Sequence, residues 1–291
     1  MTSVGLIGLG LLGSAMAERF VAAGYLVHGF DTNEERRDAF RAAGAVLCDS
    51  ATSVFQSCPT VVLSLPNSKI VSDVITGCLA QIQRHLIIDT TTGAPEDARL
   101  FSSQLESRGA CYLDATVVGS SEQTRQGQVI TLVGGTAEGF EQACPLLKCF
   151  SMQQFHTGPS GTGATAKLIV NLVLGLNRAV LAEALNLAKC CQMDQACILE
   201  ILRSGAAYSR VMDVKGEKMI SEDFSPQARL DQHWKDVGLI LELGRNTNAA
   251  VPLSELHSKL LERASALGFG QLDNSAIIKA FDGASRDPVT L

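Results

Sequence analysis

The six residues Gly8-Leu9-Gly10-Leu11-Leu12-Gly13 constrain this chain more than any other segment. They fit G-x-G-x-x-G, come after an apolar run (Ser3–Gly8), open a helical pattern (Leu11–Ala23) and lead to a second apolar run, Tyr25–Phe30. In that strand–turn–helix–strand setting the first glycine permits the tight turn and the second lets the backbone approach a pyrophosphate. The third allows helix and sheet to pack closely. Phosphate is expected on N–H groups at the positive end of the helix beginning near Leu11. Glycine-rich turns are common in isolation, so the flanking pattern carries the reading. Asp31 closes the second run, where a carboxylate can accept hydrogen bonds from adenosine ribose hydroxyls. Its charge opposes a 2′-phosphate, which favours NAD, with NADP as the second option. Alternatively, Asp31 with Thr32 and Asn33 caps a helix starting near Glu34; the surrounding pattern favours ribose binding.

Further apolar segments at Ala45–Leu47, Thr60–Leu65, His85–Asp89, Cys111–Asp114 and Val129–Val133 read as strands. Helical patterns lie at Glu34–Ala43, Ser68–Gln83 and Pro95–Ser107. Strands alternating with helices imply a largely parallel sheet covered on both faces, the doubly wound α/β class of Rossmann type. The pattern changes at Gly158-Pro159-Ser160-Gly161-Thr162-Gly163, a turn-forming cluster. Beyond it the chain reads as helix only: one long helix Ala164–Gln192, then Asp194–Arg203, Leu230–Thr247, Pro252–Leu267 and Asn274–Phe281. The expected organisation is a dinucleotide-binding domain, 1–162, and an all-helical domain, 163–291, for substrate and oligomerisation. The long helix connects them, with a cleft at the carboxyl ends of the strands.

Composition narrows the function classes. Of 291 residues, 46% are hydrophobic and 19% charged, so a sizeable core is expected and disorder is not. The net charge of -6 and the lack of any Lys/Arg run disfavour nucleic acid. No uninterrupted apolar stretch reaches the ~18 residues of a membrane span. No basic n-region or Arg/Ser-rich presequence precedes Val4, so a soluble, cytoplasmic protein is expected. The nine cysteines form no C-x-x-C pair and sit mostly in apolar stretches, which reads as buried reduced thiols and no metal site.

Between Gly158 and Ala182 only Lys167 and Arg178 carry formal charge. With Asn171 they fall at helix offsets that share one face, a polar stripe on an otherwise apolar rod. A helical lysine usually points to solvent, but the flanking Leu168-Ile169-Val170 and Leu172-Val173-Leu174 suggest a helix buried nearly all round. Burying an ammonium is costly unless it is partnered or its pKa falls, and a depressed lysine suits proton transfer at neutral pH. Hydride reduction of a carbonyl needs such a proton, and Asn171, one turn on, can hold the substrate or orient the amine.

Taken together, the chain resembles the β-hydroxyacid dehydrogenases, typified by 3-hydroxyisobutyrate dehydrogenase and tartronate semialdehyde reductase. The resemblance rests on four segments in the family's order: Val4–Gly13; Asp114-Ala115-Thr116-Val117-Val118-Gly119-Ser120; the run Gly158–Asn171; and Lys235-Asp236. It implies hydride transfer between nicotinamide and a β-hydroxy acid or related oxo acid, with Lys167 as general acid/base and Asn171 as its substrate-binding companion. It also implies that Lys235 reaches the nicotinamide end and Asp236 supports the site. Thr92 and the turn Leu65-Pro66-Asn67 would contact cofactor, although an ordinary β–α turn explains the latter without the family. Asp273-Asn274-Ser275-Ala276 resembles the family's D-x-S-A, where the helical domain closes over the site. One departure stands out. Where the family carries Ser-Gly-Gly for the substrate carboxylate, this chain has Val118-Gly119-Ser120, and Thr116 replaces the preceding proline. Val118 lacks a hydroxyl donor; Ser120 or Ser121 can supply one from a shifted position, while Ser120 narrows the backbone approach. A homodimer or homotetramer acting on a small carboxylate is expected. The competing readings are an imine reductase of the same architecture and a non-catalytic dinucleotide-binding module.

Overall fold

Successive side chains of a strand point to opposite faces, so a sheet covered on both sides needs apolar residues at nearly every position. The computed structural model, which describes residues 2–42 and 44–282, shows this in the first half of the chain. Its elements in order are β1 (Ser3–Ile7), α1 (Leu11–Ala22), β2 (Leu26–Phe30), α2 (Glu34–Ala42), β3 (Val46–Leu47), α3 (Ala51–Ser57), β4 (Thr60–Leu63) and α4 (Ser68–Cys78). They continue with β5 (Leu86–Asp89), α5 (Pro95–Glu106), β6 (Cys111–Val118), α6 (Ser121–Arg125), β7 (Val129–Gly134), α7 (Ala137–Leu147) and β8 (Ser151–Gly158). Val4, Leu6, Val62 and Ile88 pack on Met16, Phe20 and Leu147 on one face. Ile7, Val61, Leu63 and Ile87 pack on Val54, Phe55, Ile75 and Phe101 on the other.

The sheet order is β3-β2-β1-β4-β5-β6-β7-β8, with every pair parallel except β6–β7. Strand order reverses between β1 and β4, the place where an open α/β sheet leaves a crevice at its carboxyl edge. Several elements depart from the sequence expectation. The strand from Cys111 runs on to Val118. β8 has no counterpart in that expectation because it is a polar edge strand, Ser-Met-Gln-Gln-Phe-His-Thr-Gly, mostly open to solvent. Helix α7 is masked in sequence by Gly139 and Pro145, and α3 and α6 by their shortness. Ala43, the expected end of the second helix, lies outside the described residues.

The chain divides after Lys167 into two compact units, inside α8 (Thr162–Cys190). The second unit continues with α9 (Gln195–Ser204), α10 (Arg210–Ser221), α11 (Leu230–Thr247) and α12 (Pro252–Ala264). A π-turn, Ser265–Phe269, ends α12 early, and Asn274–Phe281 is a 3-10 rather than an α-helix. Helix α10, interrupted in composition by Gly216, is a further addition to the expected elements. Leu168, Leu181 and Leu185 of α8 pack with Leu199, Met212, Val237, Leu261 and Ile277. At Gly175 a Cβ would lie 2.5 Å from His233 Nε2 and 2.6 Å from His257 Cε1, so the close approach of α8 to two buried imidazoles requires glycine there.

Two expectations are corrected. Helix α8 is not buried all round: Ile169, Val173, Val180 and Leu187 are exposed, while Lys167, Asn171 and Arg178 are buried. By length and composition the helix could cross a bilayer, but its inner face is the core of the second unit. The cysteines are not uniformly buried either: Cys190, Cys191 and Cys197 are exposed.

Candidate functional site

The glycine turn leaves β1 with Gly8 at φ 97°, a left-handed value, and a Cβ there would stand 2.2 Å from Ser64 O. A Cβ at Gly13 would meet Gly8 O at 2.0 Å, so the third glycine lets α1 seat against the turn. Gly10 is different. Its backbone is extended (φ -68°, ψ -168°), and the nearest atom to a Cβ placed on it is Arg36 Nη1 at 3.8 Å. Neither conformation nor packing within the chain demands glycine at position 10. The room left there, beside a helix start that no side chain caps, suits a pyrophosphate pressed against the backbone. The residues fit a dinucleotide.

Asp31, 7% exposed at the end of β2, does something the sequence does not suggest. Its Oδ2 accepts from Leu9 N at 2.7 Å and its Oδ1 from Asn33 N at 2.8 Å, so it pins the glycine turn to the next strand. The cap of α2 is Asn33, whose Oδ1 accepts from Arg36 N at 3.1 Å. Arg36 then lays its guanidinium 3.5 Å from Asp31 Oδ2.

The neighbouring loops are tied to one another. Leu65 N donates to Thr91 Oγ1 at 3.2 Å, and Asn67 caps α4 by accepting from Ile70 N at 3.0 Å. Thr92 is the next residue after Thr91. Beneath it, buried Asp89 accepts from Thr91 N at 2.9 Å and from the Tyr112 hydroxyl at 2.6 Å. Burial pushes this carboxyl up to about 6, against the hydrogen bonds from Thr91 and Tyr112 that lower it.

Midway along β6, Asp114 lies in register with Asp89, the last residue of β5. It accepts from Gly161 N and Ala164 N, both at 2.8 Å, and so anchors the first turn of α8. Burial raises its pKa, and those backbone bonds work the other way. Thr116, in the family's proline position, donates to Gly163 O at 3.1 Å, a second tie to the same turn. The anchored helix carries Lys167, only 9% exposed, whose Nζ donates to Val117 O at 2.6 Å. Gly119 sits at φ 145°, and a Cβ there would meet Val129 Cγ1 at 2.5 Å. Beyond Val118 and Gly119, Ser120 forms a capping box with Gln123 that starts α6. Its oxygen accepts from Gln123 N at 3.2 Å, so the shifted hydroxyl is already part of a helix cap. The pattern Ser120-Ser121-Glu122-Gln123 is the sequence signal for it.

The first unit therefore brings together the turn Gly8–Gly13, Asp31, Leu65–Asn67, Thr92, Val118–Ser120 and Lys167 along one sheet edge. From β1 to β6 is three strand spacings, roughly 14 Å at ~4.8 Å each.

In the second unit Asn171 Nδ2 donates to Asp236 Oδ2 at 2.9 Å. A carboxylate only accepts, so Asp236 dictates which end of the amide faces it. Lys235 Nζ pairs with Asp236 Oδ1 at 3.1 Å. Arg178 is buried without a hydrogen-bond partner for Nε or Nη1 among the described residues, and burial lowers its pKa to about 10. Asp273 is wholly buried; it accepts from Lys215 at 2.9 Å, from Gln227 N, and from the Ser275 amide and hydroxyl.

Two family models match the chain: the NAD binding domain of 6-phosphogluconate dehydrogenase over residues 3–158, and the NAD-binding region of NADP-dependent 3-hydroxyisobutyrate dehydrogenase over residues 161–281. The 2-(hydroxymethyl)glutarate dehydrogenase of Eubacterium barkeri is 32% identical over 96% of this chain and 94% of its own. The 2-hydroxy-3-oxopropionate reductase of Escherichia coli (strain K12) is 30% identical over 96% and 97%. Among solved structures, the Mycobacterium tuberculosis 3-hydroxyisobutyrate dehydrogenase with L-serine superposes at a TM-score of 0.89, with 27% identity over 97% and 99% of the two chains.

Proposed function

The chain belongs to the β-hydroxyacid dehydrogenase family, and from that premise we propose that Lys167 is the general acid/base for reversible hydride transfer between nicotinamide and a β-hydroxy acid or its oxo form. The chain is an NAD(P)-binding oxidoreductase acting on a CH–OH group. Bound nicotinamide supplies the hydride acceptor or donor. The chain's own part is to bind, orient and move one proton. Oxidation releases a hydroxyl proton to a neutral Lys167 amine, and reduction takes one back from the ammonium. The observation that carries this reading is the buried Lys167 Nζ held on Val117 O at 2.6 Å. Held there, the amine is aimed instead of sweeping through solvent.

The other residues bind and orient. The turn Gly8–Gly13 with Asp31, Leu65-Pro66-Asn67 and Thr92 hold the dinucleotide, and Lys235 serves its nicotinamide end. Asn171, oriented by Asp236, and the segment Val118-Gly119-Ser120 position the substrate. The compounds that name the relatives share a carboxylate two bonds from the carbon that changes oxidation state. A small carboxylate with a β-hydroxyl or β-aldehyde is the corresponding substrate class here. Residues 1–162 act as the cofactor domain and 163–291 as the substrate and oligomerisation domain of a soluble, cytoplasmic homo-oligomer. The exposed Ile169, Val173, Val180 and Leu187 of α8 support self-association.

The test is Lys167→Ala against a panel of 2- and 3-hydroxy acids and semialdehydes with NAD(H) and NADP(H). Turnover is expected to fall by about 10²–10⁴ while calorimetric NADH affinity changes less than about threefold. Turnover within about twofold of the parent removes the proposed role of Lys167.

A further inference from the structure

The core of the second unit contains a cation that no anion of the chain binds. Arg178 is 7% exposed, and neither its Nε nor its Nη1 finds an acceptor among the described residues. The carboxylate that favours its charge is Asp273, but both oxygens of Asp273 are already filled. Oδ1 accepts from Lys215 and from the Ser275 amide and hydroxyl, and Oδ2 accepts from Lys215, Gln227 N and Ala228 N. Even with its pKa lowered to about 10 by burial, the guanidinium stays charged at neutral pH. Buried charged N–H groups without an acceptor are costly, which makes an orphaned guanidinium a marker of a ligand site.

Its surroundings point the same way. Gly175, one turn earlier on α8, packs against the rings of His233 and His257, whose centroids lie 5.2 Å apart. His257 is 2% exposed, and its Nε2 has no hydrogen-bond partner among the described residues. Burial, together with the Arg178 charge, lowers its pKa to about 4, so the ring is neutral at pH 7. A neutral ring can present an N–H on Nε2 without adding a second charge. His233 lies one turn before Asp236 on α11, and Asp236 holds Asn171. Polar groups thus run along the inner face of α8 from Asn171 to Arg178. These two residues stand two turns apart, about 10 Å along the helix axis. Helical side chains lean toward the N-terminus, so the guanidinium reaches back toward Asn171.

We infer that Arg178, with His257 beside it, is a carboxylate site inside the helical unit, filled by the distal acid group of a dicarboxylic β-hydroxy acid or by a free small carboxylate. One guanidinium and one neutral imidazole match a single negative charge. A phosphate would bring a second charge that nothing there balances, and a water would leave the guanidinium uncompensated. The polar run to Asn171 favours the substrate's own distal carboxylate. For that source alone the inference rests on the β-hydroxy acid reading, which it deepens by naming the residue that selects a second acid group.

The experiment titrates acetate, glutarate and inorganic phosphate calorimetrically into the full-length parent, Arg178→Met and Arg178→Lys. Steady-state assays then compare 3-hydroxypropionate with its 2-(2-carboxyethyl) derivative, which adds the distal acid. Saturable binding of acetate or glutarate to the parent, in preference to phosphate, is expected. Arg178→Met should weaken it by about 10–100-fold, the loss expected for a hydrogen bond to a charged group, and Arg178→Lys by less. If the distal carboxylate is the occupant, Arg178→Met raises KM for the carboxyethyl derivative by a similar factor. Its kcat then stays within about twofold, and kcat/KM for 3-hydroxypropionate within about threefold. Lost acetate binding with both KM values unchanged assigns the site to a free carboxylate. No saturable carboxylate binding to the parent, together with no KM difference between the two acids on Arg178→Met, overturns the inference. The parent titration needs no variant to fold. A parent that binds acetate or glutarate but oxidises neither acid strikes the β-hydroxy acid reading and leaves the site standing, which keeps the two failures apart.

Discussion

Asp114 in the first unit and Asp273 in the second are both almost wholly buried, at 3% and 0% exposure, yet the protein compensates them by different means. Asp114 receives backbone N–H groups, from Gly161 and Ala164, and its pKa is raised because burial outweighs them. Asp273 receives a whole cation, Lys215, besides the Ser275 and Gln227 donors, and is held down at about 2 despite burial. The difference reflects what each carboxylate joins. Asp114 fixes the beginning of one helix, where oriented N–H groups and the positive helix end are already present. Asp273 gathers α10, the segment before α11 and the 3-10 turn, three pieces with no common dipole, and only a long side chain reaches across them.

The contrast predicts unequal fragility. Lys215→Met leaves the Asp273 charge buried without its cation, and loss of one partner of such a pair costs about 3–5 kcal/mol. Denaturant unfolding should show this as a lower midpoint. A loss under about 1 kcal/mol would mean that the amide and hydroxyl donors alone hold Asp273. Asp114→Asn should cost less, about 1–3 kcal/mol, because one of the two N–H groups at the start of α8 then faces an amide donor. Its signature is kinetic as well. Lys167 rides on that turn, so turnover should fall while NADH affinity changes little. Parallel loss of both would place Asp114 in cofactor binding instead.

How much of this is legible in the sequence differs along the chain. The glycine turn can be read because Gly8 and Gly13 restrict residue type locally, by backbone conformation and close packing, and Asp31 can be found because it directly follows the next strand. Its bond to Leu9 N cannot, since nothing in the composition says which backbone donor faces a buried carboxylate. The Lys167–Val117 contact joins positions 50 apart in sequence, and only the sheet brings them together. Strand β8 lacks the apolar alternation because it is an edge, solvated where an inner strand is packed. The apolar run around Lys167 misleads for a related reason: hydrophobicity on α8 reports an exposed face as well as a core, and sequence cannot separate the two.

The smallest expected effect separates the two kinds of compensation by pH. Asp89 lies beside Asp114 and, like it, has no lysine or arginine among its hydrogen-bond donors in the described residues. Its folded pKa, about 6, stands above the ordinary 3.8. The folded state therefore binds the proton more tightly than the unfolded chain, and this group's contribution to stability is present at low pH. It is lost as pH rises from about 4 through about 6. Asp273 has the opposite sign: its stabilisation is present above about pH 4 and is lost as pH falls toward about 2. Asp89→Asn keeps an acceptor for Thr91 N and turns the amide nitrogen toward the Tyr112 oxygen, so the site stays bonded without a charge. Melting temperature should then lose part of its decline between pH 4 and 6, with the acid limb below pH 4 unchanged. An unaltered slope between pH 4 and 6 would show that Asp89 ionises in the folded protein as readily as in water, and that the Thr91 and Tyr112 donors offset its burial without a cation.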